Sequence, residues 1–296
     1  MKILITGTSG FIGTRLLRAV CEEYGSTNVI ALSTTPKSQC ETILYDPLDF
    51  SISRESLEKI GTAGTLLHAG AYTPKSSRDA NFLPGCNGNI SFTDKLLSSR
   101  LADLQRILYL STIDVYAPAD LISESTPTLP ASLYGLSKLY CESMVACYAA
   151  QRGITSQILR IGHVFGPGEE TYQKFLPVAI RRILRGEDVE LWGNGAELRS
   201  LIYIDDVISA ILAALRRPET ASPVNVVSGR ALSIRSILDQ LIAISGGQGR
   251  IVRREAPTKA RDYVFDNFRL RTNLLAEETD FNAALRAEYL YFKALE

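Results

Sequence analysis

Gly7-Thr8-Ser9-Gly10-Phe11-Ile12-Gly13 is the stretch on which the reading of this sequence turns. It follows the short apolar run Lys2-Ile3-Leu4-Ile5-Thr6 and opens an amphipathic stretch, Phe11–Tyr24. Strand, glycine turn and helix in that order make a seat for a phosphate. Glycines let the backbone turn tightly and approach a pyrophosphate, and the helix N-terminus adds free N–H groups and the positive end of its dipole. The spacing is GxxGxxG, whereas many dinucleotide sites carry GxGxxG. A glycine trio alone can be an ordinary strand-to-helix turn, but its context favours nucleotide binding.

Outward from this turn, short β-branched runs alternate with longer amphipathic ones. Lys2–Thr6, Val29–Leu32, Thr42–Leu44, Thr65–His68, Ile107–Leu110 and Ser156–Arg160 read as strands. Phe11–Tyr24, Ser53–Ile60, Ile90–Arg100 and Tyr134–Gln151 read as helices. That alternation predicts an α/β fold of the Rossmann type, with a doubly wound parallel sheet. Past residue 161 the pattern loosens. Helices are expected at Tyr172–Arg185, Asp205–Arg216, Ile234–Ser245 and Ala283–Ala294, with Arg253–Asp266 polar and irregular. The expected division is a dinucleotide-binding domain over 1–161 and a smaller, mostly helical substrate domain over 162–296. Segments around 200–227 are expected to return to the first sheet.

The bulk numbers narrow the function class. The chain has 296 residues and is 46% hydrophobic, enough for a large core. Lys plus Arg and Asp plus Glu are 32 each, so there is no basic excess for nucleic acid or a membrane surface. No apolar run approaches the roughly 20 residues of a membrane-spanning helix. The opening run is too short for a signal peptide and reads as the first strand. The five cysteines are scattered without CxxC spacing, which predicts reduced thiols in a cytoplasmic protein. With two histidines, His68 and His163, no His/Cys metal site is expected.

Rossmann sheets place an acidic residue about 20 residues after the glycine turn, on the ribose 2′-hydroxyl of NAD. The sequence there is Ala31-Leu32-Ser33-Thr34-Thr35-Pro36-Lys37, with no carboxylate. A carboxylate would repel a 2′-phosphate. Ser33 in its place, with Lys37 close by, favours NADP(H), with NAD(H) as the alternative; a solvated polar loop would read the same way.

A second motif is Tyr134-Gly135-Leu136-Ser137-Lys138. The i, i+4 spacing puts Tyr134 and Lys138 on one helix face. A phenol titrates near pH 10, and a nearby ammonium should lower that value, making Tyr134 a usable acid–base group. Before it, Ser111 and Thr112 end a strand on the side where such sheets bind ligands. Their hydroxyls suit a substrate oxygen, or ordinary strand-end capping.

With these motifs in order, the sequence resembles the extended short-chain dehydrogenases/reductases, specifically the NAD(P)-dependent nucleotide-sugar epimerase/dehydratase/reductase group. The resemblance also covers Leu67–Ala71, Asn89, Glu142, Arg160–Gly168, Trp192–Gly195, Arg199–Val207 and Val224–Gly229. It implies that Tyr134 is the catalytic tyrosine, that Lys138 also grips the nicotinamide ribose, and that Thr112, with Ser111 beside it, binds the reacting sugar oxygen. It implies that Asp46 contacts adenine, that Ala69, Gly70 and Ala71 lie under the cofactor, and that Arg199 clamps the diphosphate of a nucleotide-sugar substrate. Asp205 and Asp206 are expected as helix N-caps.

Two departures bear on the reaction. Dehydratases of the group carry an acidic pair after the catalytic threonine, and this chain has Ile113 and Asp114. Losing the first acid removes a proton donor for water elimination. Where many relatives have a substrate-touching asparagine, this chain has His163. The expected activity is reduction of a 4-keto-6-deoxy nucleotide sugar. The alternatives are a 4-epimerase with bound NAD and a non-catalytic cofactor-binding relative. Leu136, Leu139, Tyr140, Met144 and Cys147 form an apolar back to the Tyr134 helix, which predicts a homodimer through that helix and the one near Ile90–Arg100.

Overall fold

The computed structural model describes residues 2–47, 49–217, 222–255 and 261–296. Met1, part of the expected 200–227 return, and the middle of the expected irregular stretch 253–266 lie outside the described residues. Strand β1 (Lys2–Thr6) is buried from Ile3 to Thr6, as a strand covered on both faces must be. The glycine turn leads into α1 (Phe11–Tyr24), whose Gly13, Leu16, Leu17 and Val20 are buried at helical spacing. The alternation continues through β2 (Val29–Ser33), β3 (Glu41–Leu44), α2 (Arg54–Gly61), β4 (Ala63–His68), α3 (Leu83–Ser98), β5 (Arg106–Thr112), α4 (Leu133–Arg152) and β6 (Thr155–Ile161). These strands pair in parallel in the order β3-β2-β1-β4-β5-β6. This is the Rossmann-type sheet that the sequence predicts.

The second half weaves in and out of that sheet. It contains β7 (His163–Phe165), α5 (Phe175–Leu184), β8 (Val189–Trp192), β9 (Leu198–Tyr203), α6 (Ile204–Arg216), β10 (Val224–Val226), β11 (Ala231–Ser233), α7 (Ile234–Ile244), β12 (Ile251–Arg254), α8 (Phe268–Asn273) and α9 (Phe281–Leu295). β10 joins β6 in parallel as a seventh strand, and α6 packs on α1. A separate apolar cluster, including Phe165, Ile180, Leu238, Leu285 and Phe292, unites α5, α7 and α9. The small sheets β11-β9-β7 and β12-β8 complete this half.

Several boundaries differ from the sequence reading for physical reasons. α3 begins at Leu83, not Ile90: Pro84 sits at the first helical turn, where its missing N–H costs nothing, and a Cβ on Gly85 would lie 2.6 Å from the Tyr72 ring. α5 begins at Phe175, not Tyr172, because the preceding residues cross the cavity described below. Asp205 and Asp206 are not N-caps. Tyr203 occupies that position, Asp205 pairs with Arg15, and Asp206 accepts from the backbone N–H and hydroxyl of Thr279.

Candidate active site

The glycine turn forms a cradle that only glycine fits. Gly7 has φ +76°, and a Cβ there would lie 2.5 Å from the Ala69 carbonyl oxygen. A Cβ on Gly13 would lie 1.9 Å from the Gly7 oxygen. Gly10 caps α1 with no side-chain hydrogen bond, leaving the first N–H groups for an external acceptor. The Ala69–Ala71 loop is fixed from below, because Gly70 N–H donates to Thr6 Oγ1, which contacts His68 Nδ1 at 2.9 Å. His68 Nε2 contacts Thr93 Oγ1 at 3.0 Å. Burial pushes this histidine down to about 3, so it is a neutral strut beneath the loop. The uncapped helix end and the buried Thr8 hydroxyl, which has no partner among the described residues, fit the pyrophosphate of a dinucleotide.

At the end of β2, Ser33 is buried and its hydroxyl accepts from Thr35 N–H. Lys37 Nζ donates to Ser9 Oγ at 2.7 Å and to Thr35 Oγ1 at 3.1 Å. An ammonium gathered with two neutral hydroxyls joins the glycine turn to the β2 end. Asp46 follows Tyr45, and it is Tyr45 and Pro47, not Asp46, that line the cavity. Tyr45 stacks on Phe92, 5.2 Å between centroids.

A cavity of about 1160 Å³ runs from this cradle into the second half of the chain. Gly7, Gly10, Phe11, Ile12, Gly13, Ser33, Ala69, Gly70, Ala71, Ser111, Thr112, Tyr134, Lys138, His163 and Arg199 all line it; Lys37 and Asp46 do not. Tyr134 and Lys138 are buried on the inner face of α4, with Cys141 and Val145. The expected lowering of the Tyr134 phenol by the Lys138 ammonium is not found. Lys138 Nζ donates to the Leu110 carbonyl at 2.7 Å and sits 4.2 Å from the Tyr109 ring centroid. Burial brings its ammonium down to about 8. Tyr134 is raised by burial first and by the Asp114 charge second, while the Thr73 and Thr112 hydroxyls pull the other way. The phenol thus keeps its proton at neutral pH, and the groups that ease its ionisation are hydroxyls, not the Lys138 ammonium.

At the far end, residues absent from the sequence reading gather around those it named. Tyr263 lies between two guanidinium groups, with Arg199 and Arg261 Cζ atoms 5.2 and 4.8 Å from its centroid. Arg199 donates to the Leu198 and Arg261 carbonyls, which aligns it. His163 meets Tyr263 edge-on at 4.8 Å. Burial, then Lys174, Arg199 and Arg261, push His163 down to about 4, and its buried Nδ1 has no partner among the described residues. Asp114 and Lys174 also line this wall, each exposed to the cavity yet closely surrounded. Burial raises the Asp114 carboxyl and lowers the Lys174 ammonium, and each partly offsets the other. Arg261 and Tyr263 fall in the stretch that reads as irregular loop, where no periodicity marks them. The Asp114 signal was its place directly after Thr112-Ile113.

The description "NAD dependent epimerase/dehydratase family" matches residues 3–228 of this chain. An uncharacterised UDP-glucose epimerase of Bacillus subtilis is 30% identical over 263 residues, covering 83% of each chain. A dTDP-glucose 4,6-dehydratase of Mycobacterium tuberculosis is 26% identical over 230 residues, covering 73% of this chain and 69% of that one. Among solved structures, the UDP-glucuronic acid 4-epimerase of Bacillus cereus, in complex with UDP-glucuronic acid and NAD, superposes with a TM-score of 0.82. It shares 26% identity and covers 100% of both chains.

Proposed function

The chain belongs to the NAD-dependent epimerase/dehydratase family, and from that premise we propose that it transfers hydride at C4 of a nucleotide-activated sugar, first as a reductase of a 4-keto-6-deoxy nucleotide sugar. One observation carries this reading: Thr112, Tyr134 and Lys138 line one cavity with the glycine cradle, and Ile113 stands where a dehydratase holds its first acid. A nicotinamide dinucleotide held by the cradle supplies the hydride. Tyr134 then gives its proton to the ketone oxygen, which the Thr112 hydroxyl holds by a hydrogen bond. Lys138, anchored on the Leu110 carbonyl, would grip the nicotinamide ribose. Arg199 and Arg261, stacked on Tyr263, hold the diphosphate with guanidinium forks.

The same reading takes NADPH as the preferred dinucleotide, because Ser33 stands where a carboxylate would exclude a 2′-phosphate, with Lys37 nearby on Ser9 and Thr35. The second reading is a 4-epimerase with retained NAD. Relatives at 26% and 30% identity named as 4-epimerase and UDP-glucose epimerase, the former with NAD bound, favour it. Turnover of a panel of nucleotide sugars and their 4-keto forms, with NADPH and with no added cofactor, separates the two. Stoichiometric NADPH oxidation marks the reductase. Isomerisation without net oxidation marks the epimerase. Binding without turnover in either arm would overturn both.

A further inference from the structure

Between β7 and α5 the chain runs through Gly166–Lys174, a segment tied to both halves of the molecule. On the cradle side, Arg15 donates to the Pro167 carbonyl at 2.8 Å, and Tyr172 meets Phe11 edge-on at 6.0 Å. Gln173 N–H donates to the Lys75 carbonyl at 3.0 Å, and Lys75 Nζ lies 4.1 Å from the Tyr172 centroid. Phe11 opens α1, whose N-terminus is the pyrophosphate seat, so Tyr172 stands at the edge of that seat. On the other side, the Tyr291 hydroxyl of α9 donates to the Glu170 carboxylate at 2.8 Å. Gly166 and Gly168 have φ +134° and +102°, conformations that favour glycine and let the chain leave β7 at a sharp angle.

The deepest tie is a pair of carboxyl groups. Glu169 is 1% exposed and Glu288, from α9, is 0% exposed. Glu169 Oε1 and both Glu288 oxygens have no donor among the described residues. The two side chains face each other, and as carboxylates both are acceptors only. Two anions in contact and sealed from water repel, whereas one proton between them makes one a donor to the other. The other charged and titratable groups facing the pair are Lys174, Arg181 of α5, Tyr172 and Tyr203 of β9. The cations favour ionisation, but burial outweighs them and both carboxyls are held above their ordinary range.

We propose that Gly166–Lys174 is a strap over the bound dinucleotide, and that one proton shared by Glu169 and Glu288 holds it closed, so that cofactor exchange is gated by pH. This rests on the reading that the glycine cradle binds a nicotinamide dinucleotide. Loss of the shared proton sets two anions together at the root of the strap. The strap then lifts, and its contacts with Arg15, Phe11 and Lys75 are the ones that part.

The test is the rate at which NADPH, or NADH if that binds tighter, leaves the full-length protein between pH 5.5 and 8.5. It is followed by dinucleotide fluorescence on dilution into excess oxidised cofactor. Release from the wild type should quicken by up to about tenfold per pH unit while the pair titrates. In Glu288→Gln the amide donates to Glu169 at every pH, so release should stay slow and flat. Tyr172→Ala should release fast at all pH values. A pH-independent wild type, or the wild-type slope persisting in Glu288→Gln, would overturn the strap. Should Glu288→Gln not fold, Glu169→Gln carries the same expectation from the other side. If neither dinucleotide binds at equilibrium, it is the cofactor reading that fails, and that result is separate from any slope.

Discussion

Tyr134 is the residue on which the proposed chemistry hangs, because its hydroxyl meets those of Thr73 and Thr112 in a buried wall. Tyr134→Phe removes the proton donor and keeps the ring. The expected result is a fall in kcat of at least about a hundredfold, with dinucleotide affinity retained in a fluorescence titration. At the other end of the cofactor, wild-type protein should bind NADPH more tightly than NADH. Ser33→Asp should reverse that order by placing a negative charge against the 2′-phosphate. Dissociation constants for both dinucleotides decide it, and equal affinities in the wild type would shift the balance to the epimerase. Arg199→Ala should raise KM for the sugar nucleotide while leaving dinucleotide binding alone. Unchanged sugar-nucleotide affinity by calorimetry would make Arg199 a purely structural partner of Arg261 and Tyr263.

The elements are held in register by buried charge. Arg160 of β6 makes two hydrogen bonds to Glu142 of α4, at 3.0 and 2.7 Å, with both side chains under 10% exposed. The same guanidinium lies 4.7 Å from the Tyr116 centroid. Glu142→Ala would strand that charge and is expected to cost about 3–5 kcal/mol, read from urea unfolding. The pair between α9 and the strap acts in the opposite sense. Both Glu169 and Glu288 are raised in the native state, so the native protein keeps protons that the unfolded chain releases above about pH 4.3. Stability from this pair is therefore fully present below that pH and is lost as pH rises through the native titration. Glu288→Gln should melt higher than wild type at pH 8, and the gap should shrink towards pH 4.5. Thermal scans across that range check it, and a gap of constant size would refute the shared proton.

For the molecule as a whole, the outer side of α3 and α4 has no cover among the described residues. Leu83, Leu136 and Tyr140 are 56%, 50% and 57% exposed. Leu139 and Met144, expected on the same back face, pack instead against core clusters of their own chain. The C-terminal helix α9 packs on α5 and α7, so it is not the lid for this surface. A Cβ on Gly88 of α3 would meet nothing within 4 Å in its own chain, although a helix-interior glycine costs about 1 kcal/mol relative to alanine. Close approach of a second backbone gives that glycine a purpose, and a twofold contact needs only one such stripe. We expect a homodimer, split by Leu136→Glu, with light scattering at micromolar concentration as the measurement. A monomeric wild type would refute it.

What the sequence determined by itself is local and periodic. The strand–glycine–helix turn at Gly7–Gly13, the parallel alternation up to β6 and the inward face of Tyr134 and Lys138 follow from side-chain period and glycine sterics, which act over a few residues. The family resemblance adds Thr112 and Arg199 because they stand at fixed distances from those motifs. Tertiary structure alone decided the rest. Lys138 bonds the Leu110 carbonyl, Arg261 joins Arg199 on Tyr263, and α3 starts at Leu83 because Tyr72 packs on Gly85. Glu169 meets Glu288 across more than a hundred residues of chain, and it is the fold that removes their water. Charge, burial and proton sharing depend on which groups the fold brings together, and a linear spacing carries no record of that.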